Sequence, residues 1–261
     1  MKKYKKMIRE LLIKLISGTQ CLVYGRDIII EFVSQTTSKL DGNLNLLDIG
    51  CGDGTDLINI RDRVELSQFG SKKYANKYYG IETEAKNIQA AKQQGIQVLS
   101  ANIEKDRLPF DNEFFDIVII NQVLEHTKEL FFIFGELSRI MKKNAILVVG
   151  VPNLASFHNR IALLLGFQPP TIELLSAHIR GFTKNDFKKF VETDGFFELI
   201  EYKGSGFYPF PMKMSKLLGK LFPTMAVGSF YKIRRMDKDG NFILILDNFS
   251  FETPYKRNLF L

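Results

Sequence analysis

The sequence predicts a doubly wound α/β fold, on three observations. Between residues 43 and 152, short apolar runs of β-forming residues alternate with stretches whose apolar positions recur at helical spacing. Several of those runs, "FFDIVIIN" and "AILVVGVPN" among them, are apolar at consecutive positions, the pattern of parallel strands covered on both faces. The first strand also runs straight into a turn made largely of glycine, "LLDIGCGDGT", Leu46 to Thr55.

In order, Met7, Ile8, Leu11, Leu12, Leu15 and Ile16 predict an amphipathic helix closed by Gly18. A second helix is expected from about Arg26 to Leu40, stopping at the turn-forming "DGN". Strand "LNLLDIG" and helix "GTDLINIRDRV" follow, then strand "KYYGIE" and helix "TEAKNIQAAKQQG", which Gly95 should terminate. "IQVLSAN" and "FFDIVIIN" read as strands, "ELFFIFGELSRIMKK" as a helix and "AILVVGVPN" as the fifth strand. Beyond Pro152 the order changes: helix "LASFHNRIALLLGF", loop "QPPTIELLSAHIRGFT", a helix capped by Thr183, and strand "FFELIEYKG". Asp239-Gly240 lies between two β-prone runs and predicts a hairpin. Without repeats or a low-complexity linker, one domain is expected over 1–261.

The composition, 45% hydrophobic and 25% charged over 261 residues, is that of a globular protein. No run approaches the roughly 20 apolar residues of a membrane span. Arg9, Glu10 and Lys14 interrupt what would be a signal-peptide core, so a cytoplasmic protein is expected. Cys21 and Cys51 have neither metal nor redox spacing, and three histidines are few for a zinc cluster, so no metal is expected. The net charge of +7 is spread along the chain and reads as a solvated basic surface or a site for an anionic partner.

The glycine turn carries the functional signal, because glycines after a first strand let a ligand lie against the backbone. The dinucleotide fingerprint G-x-G-x-x-G fits poorly: Gly50 and Gly52 suit it, but its third glycine position is Thr55. Asp48 would also repel a pyrophosphate. A cofactor with a cationic end reverses that argument, since a carboxylate at the strand end accepts a charge-assisted hydrogen bond from an ammonium. At this point the chain resembles a known family: "LLDIGCGDG" is similar to the first motif of class I S-adenosylmethionine-dependent methyltransferases, of the branch acting on small molecules or glycans and of ubiquinone-biosynthesis type.

The resemblance implies a seven-stranded, mostly parallel Rossmann-like sheet with an antiparallel C-terminal hairpin and N-terminal capping helices. The helices would occupy 1–42, the cofactor-binding half 43–152, and an acceptor-side half with lid insertions 153–261. S-adenosyl-L-methionine would be the cofactor and S-adenosyl-L-homocysteine the product. Asp48 would hold the methionine ammonium, with Gly50, Cys51 and Gly52 along the cofactor. Glu82, next to Thr83, would grip the ribose diol, since two vicinal hydroxyls suit one carboxylate. Asn102, where the family carries an acid, and Ile103 would hold the adenine. Asn121, Gln122 and Val123, in "NQVLEH", would line the methionine moiety, and Arg26 would meet its carboxylate.

On the acceptor side, His126 is the first candidate base, with Glu125 orienting it or binding substrate. His178, in "AHIRGFT", is the second; His158 reads as structural or at a lid edge. Arg160 and Arg180 read as an anion clamp or as surface charges. "FYPFPMKMSKLLGKLFP", within 207–222, suits a lid, an apolar acceptor wall or a peripheral membrane contact. The expected reaction is methyl transfer to an oxygen of a small-molecule, saccharide or glycan acceptor, with a quinone-type or lipid-linked acceptor as the alternative. A cofactor-binding subunit without catalysis, a nicotinamide oxidoreductase and a nucleic-acid methyltransferase are the competing classes. The last is disfavoured because no "NPPY"-type motif occurs. Oligomeric state is not readable from the sequence.

Overall fold

In the computed structural model, residues 25–67 and 75–248 are described. The first expected helix and Cys21 lie outside them. Helix α1 (Arg26–Thr37) precedes β1 (Asn45–Ile49), α2 (Thr55–Ser67), β2 (Lys77–Ile81), α3 (Ala85–Gln93), β3 (Gln97–Leu99) and β4 (Phe115–Asn121). Then come α4 (Leu130–Ile140), β5 (Met141–Pro152), α5 (Phe157–Leu164), α6 (Lys184–Glu192), β6 (Phe197–Ser205), α7 (Met212–Leu221) and β7 (Gly228–Arg235).

Seven strands form one sheet in the order β3-β2-β1-β4-β5-β7-β6. The first five are mutually parallel, and β7 runs antiparallel to both β5 and β6. Alternation along the central strands splits the core into two layers. Leu47, Ile49, Val118, Ile120, Leu147 and Val149 meet α4, α6 and the segment around Phe242. Leu46, Ile117, Ile119, Ile146 and Val148 meet α1, α2 and α3. Both faces are therefore covered, which is why these strands read as nearly unbroken apolar runs. The chain passes outward from β1 to β3 and returns on the other side as β4, so the switch point lies between β1 and β4. Crevices open there, outside the carboxyl ends of the strands.

Several expectations are corrected in detail. Helix α4 ends at Ile140 rather than running through Lys143, and Met141 already belongs to β5. The register slips between Phe115 and Ile117, and Asn144 takes a left-handed φ of 65° as the strand resumes. The antiparallel C-terminal pair exists, but it is β6 with β7, joined through α7 rather than turned at Asp239-Gly240. "FILILDN", Phe242–Asn248, is a 3-10 segment. Phe242, Ile245 and Leu246 are buried, a three- and four-residue spacing that suits a helical turn and cannot suit a strand. Gly95 (φ 79°) closes α3, and the Thr183 hydroxyl accepts from the Asp186 N–H at 3.4 Å, both as expected.

One layer is dominated by phenylalanine. The Phe134 ring lies 5.0 Å from Phe190, 5.5 Å from both Phe197 and Phe242, and 6.1 Å from Phe187, centroid to centroid. Phe134→Ala is expected to cost about 3–5 kcal/mol of stability in urea unfolding, because rings from α4, α6 and β6 meet on that side chain.

Candidate functional site

The sheet's carboxyl edge carries two adjoining features, a glycine-lined crevice at β1 and a cavity beside β4, β5 and β7. In the crevice, Gly50, Gly52 and Gly54 all have left-handed φ (73°, 54° and 87°), so the chain doubles back from β1 into α2. A Cβ at Gly50 would come within 2.4 Å of Val123 Cγ2, whereas one at Gly52 would meet nothing within 4 Å. The turn is thus packed against the "NQVLEH" segment on one side and open at Gly52.

Three carboxylates surround it. Asp48, buried at the end of β1, has its pKa raised well above the ordinary carboxylate range, first by burial and then by the charges of Asp56 and Glu82. Glu82, just beyond β2, accepts from the N–H groups of Gly52 (2.9 Å), Thr83 (2.7 Å) and Glu84 (2.9 Å). It therefore bridges the glycine turn and the entry to α3, while Thr83 itself is exposed. Asp56, in the first turn of α2, pairs with Arg26 Nε at 2.6 Å and accepts from Asn121 Nδ2 at 3.0 Å. Arg26 is accordingly engaged by an acid of the fold, where the sequence placed a cofactor carboxylate.

Cys51 is buried, and its sulfur occupies the space where a Gly80 side chain would begin, 2.5 Å from where a Cβ would sit. Burial, ahead of the neighbouring Asp48 and Glu82 charges, pushes its thiol up to about 12. Asn102 is exposed and caps its own turn: its Oδ1 accepts from the Glu104 N–H at 2.9 Å, and its N–H donates to Asp106 Oδ2 at 2.7 Å. Ile103 packs on the main core. Arg139 clamps this loop to α4, donating to the Leu108 and Phe110 carbonyls and pairing with Glu136 at 2.6 Å.

The cavity, of about 530 Å³, is lined by Gln122, Glu125, His126, Thr171, His178 and Phe230 together with the ends of β5, β6 and β7. His126 and His178, far apart in sequence, stand edge to face with ring centroids 4.7 Å apart. His126 Nδ1 lies 3.1 Å from the Ala177 carbonyl, and His178 Nδ1 lies 2.9 Å from the Thr171 carbonyl. A carbonyl only accepts, so each Nδ1 carries a proton, and in a neutral ring Nε2 is then the acceptor. Glu125 is buried, both its oxygens lack a hydrogen-bond partner, and burial raises its pKa from 4.5 to about 7. Its Oε1 sits 4.0 Å from His126 Nε2. Glu125, His126 and His178 each offer one ligand atom within 4.8 Å of the others, so the cluster has the donor set for a divalent cation.

His158 stands apart, on α5, with its pKa lowered by burial to about 4 and its ring against Tyr208. Arg160 Nε is bonded to the Ala155 carbonyl, and Arg180 donates to the Lys128 carbonyl. The sequence reading missed Asp56, although an acid directly after a glycine turn is a visible signal. It also missed Thr171 and Phe230, for which no local pattern exists.

Crevice and cavity meet at two consecutive residues. Asn121 ends β4 and bonds Asp56, while Gln122, with φ of 56°, lines the cavity. Residues 35–203 match the family model described as methionine biosynthesis protein MetW. The chain belongs to the MetW family. The ubiquinone biosynthesis O-methyltransferase of Pelagibacter ubique is 28% identical over 130 residues, 49% of this chain and 50% of that protein. Its counterpart in Rhodopseudomonas palustris is 29% identical over 157 residues, 56% and 52%. The bifunctional MetXA/MetW protein of Rhodopirellula baltica is 28% identical over 111 residues, 42% of this chain and 17% of the relative. This MetW-family chain spans about half the length of the two O-methyltransferases it matches. Among solved structures, a chain of the complex between the Haloferax volcanii Trm112 methyltransferase activator and its partner protein superposes with a TM-score of 0.56 at 12% identity, covering 81% of this chain and 89% of that one. A Thermotoga maritima S-adenosylmethionine-dependent methyltransferase gives 0.51 at 18% identity, covering 79% and 89%. These superpositions establish the fold alone, the sheet architecture that those two structures share with this chain.

Glu125 gives a pH signature. Unfolded, it loses its proton near pH 4.5; in the fold it keeps it to about 7. The folded state therefore binds the extra proton, and the stability it contributes below pH 4.5 is lost as pH rises through 7. Glu125→Gln is expected to flatten that decline and to gain on the order of 3 kcal/mol above neutrality, measured by urea unfolding across the range.

Proposed function

We propose that this MetW-family protein is an S-adenosylmethionine-dependent O-methyltransferase. The observation that carries the reading is the junction at Asn121-Gln122, where an acid-ringed glycine crevice adjoins a cavity holding two histidines whose Nδ1 atoms are engaged by backbone carbonyls. The crevice suits a cationic occupant. Asp48 is buried beside two other acids, and a positive charge docked there offsets the burial, and after it the repulsion, that raise its pKa. Gly52 leaves the space for the cofactor to lie against the backbone. Asp48 would hold the α-ammonium and Glu82 the ribose diol, with Gly50, Cys51, Thr83, Asn102, Ile103 and Val123 along the nucleoside and methionine.

When bound, S-adenosylmethionine supplies an electrophilic methyl group on a sulfonium. The chain itself must align an acceptor with that group and remove the acceptor's proton. His126 would take that proton: the contact of its Nδ1 with the Ala177 carbonyl supports the tautomer in which Nε2 receives the proton of a hydroxyl. The buried Glu125 behind it, once ionised, favours the imidazolium that results, and His178 completes the wall.

The acceptor is a hydroxyl-bearing small molecule or glycan met in the cytoplasm. A second reading, a quinone-type or lipid-linked phenol, is favoured by Pro152, Val227 and Phe230 in the cavity and by the matched ubiquinone O-methyltransferases. Labelled methyl transfer to a panel of phenols and saccharides separates the two, and donor binding without transfer to any of them would point to a cofactor-holding subunit.

Asp48→Ala and Glu82→Ala are each expected to weaken S-adenosylhomocysteine binding by about 1–3 kcal/mol in calorimetry. Donor affinity should also fall as the solution is acidified, since a protonated Asp48 no longer attracts a cation. His126→Ala is expected to leave donor affinity intact and lower kcat about 10²- to 10⁴-fold on a hydroxyl acceptor. Turnover that a chelator abolishes and zinc or another divalent transition ion restores would instead assign the Glu125–His126–His178 cluster to a cation.

A further inference from the structure

The acceptor-side cap is built inside out. Helix α7 turns Ser215 and Gly219 toward the protein and faces solvent with Met214, Leu217 and Leu221, one turn apart along its outer side. The inward contact is close, a Cβ at Gly219 falling 3.5 Å from the Gly204 carbonyl of β6. A helix that served only the core would place its leucines inward. Lys213, Lys216 and Lys220 lie along one flank of the same helix and are exposed.

The pattern continues beside it. Phe157 at the start of α5 packs on Phe207 (5.6 Å between centroids), whose N–H in turn donates to Ser215 Oγ of α7, so Phe207 links the two helices. From the end of α5 onward, Leu164 is 85% exposed, Leu174 91% and Leu175 101%. Asn159 Nδ2 bonds Thr171 at 3.1 Å, so this loop is held to α5, and Thr171 and His178 carry it down to the cavity wall. Charge on the cap is one-sided. The sequence has no acid from Leu137 to Ile172 or from Gly206 to Met236, and Glu173 is the single carboxylate between Leu154 and His178.

We infer that this cap is a docking face for an anionic lipid surface, with Leu174, Leu175, Leu217 and Leu221 entering the interface and Lys213, Lys216 and Lys220 meeting lipid phosphates. Outward leucines beside a lysine flank match an interfacial helix, and the neighbouring loop adds two almost fully exposed leucines to the same basic segment. Docking of this kind would bring the cavity's Thr171–His178 wall next to the headgroups. The inference concerns the cap alone and holds whichever acceptor the cavity takes.

The experiment is co-sedimentation of the full chain with vesicles of phosphatidylcholine, with and without phosphatidylglycerol. The protein is expected to pellet with the phosphatidylglycerol vesicles, less so in high salt, and to stay in solution with phosphatidylcholine alone. Lys213→Glu is expected to weaken binding about fivefold or more, and the Leu174→Asp, Leu175→Asp pair at least tenfold. These positions are exposed, so the variants should fold; S-adenosylhomocysteine calorimetry on the same samples checks this and tests the methyltransferase reading separately. Absence of vesicle binding, binding indifferent to both sets of variants, or a lipid-free dimer that the leucine changes dissolve would each overturn the inference.

Discussion

The arrangement on which the site depends is electrostatic: Asp48, Asp56 and Glu82 converge on a turn too tight for any side chain at Gly50. The fold answers two of the three. Arg26 and Asn121 hold Asp56, and three backbone N–H groups hold Glu82. For Asp48 desolvation dominates, so its carboxyl sits well above its usual range. A crevice of this kind repels phosphates and favours cations, which separates it from the dinucleotide crevices that share the order of the five parallel strands.

That arrangement is reached through topology rather than through local sequence. β1 lies at the centre of the sheet, with β2 on one side and β4 on the other. Its carboxyl end therefore faces Glu82 after β2 and Asn121 at the end of β4. Because β7 is antiparallel, its first residues and the last of β5 and β6 reach the same edge, and the cavity forms there. The left-handed Gln122 is the pivot between crevice and cavity: one residue earlier, Asn121 bonds an acid of α2.

Much of this was legible in the residues. The parallel half shows as alternating strands and helices because each strand is short, apolar and ended by glycine or a polar turn. Asp48, Glu82 and the "NQVLEH" segment each fall at a strand's carboxyl end, where the sequence put them. What was hidden depended on contacts far apart in the chain. No spacing connects His126 with His178, since only the fold of the 165–182 loop brings them within ring contact. The β-forming residues of "FILILDN" suggested a strand, but burial at Phe242, Ile245 and Leu246 overrode propensity. Arg26 illustrates the same limit, as the partner it meets comes from a helix thirty residues on.

The cysteine inside the glycine turn has a consequence for handling and for regulation. Cys51 fills the gap left by Gly80, and its thiol titrates only near 12. Thiolate is the species that peroxide and alkylating reagents attack. Position 51 should therefore be inert to both at neutral pH, despite lying beside the crevice, and a redox response of this protein would have to originate elsewhere in the chain.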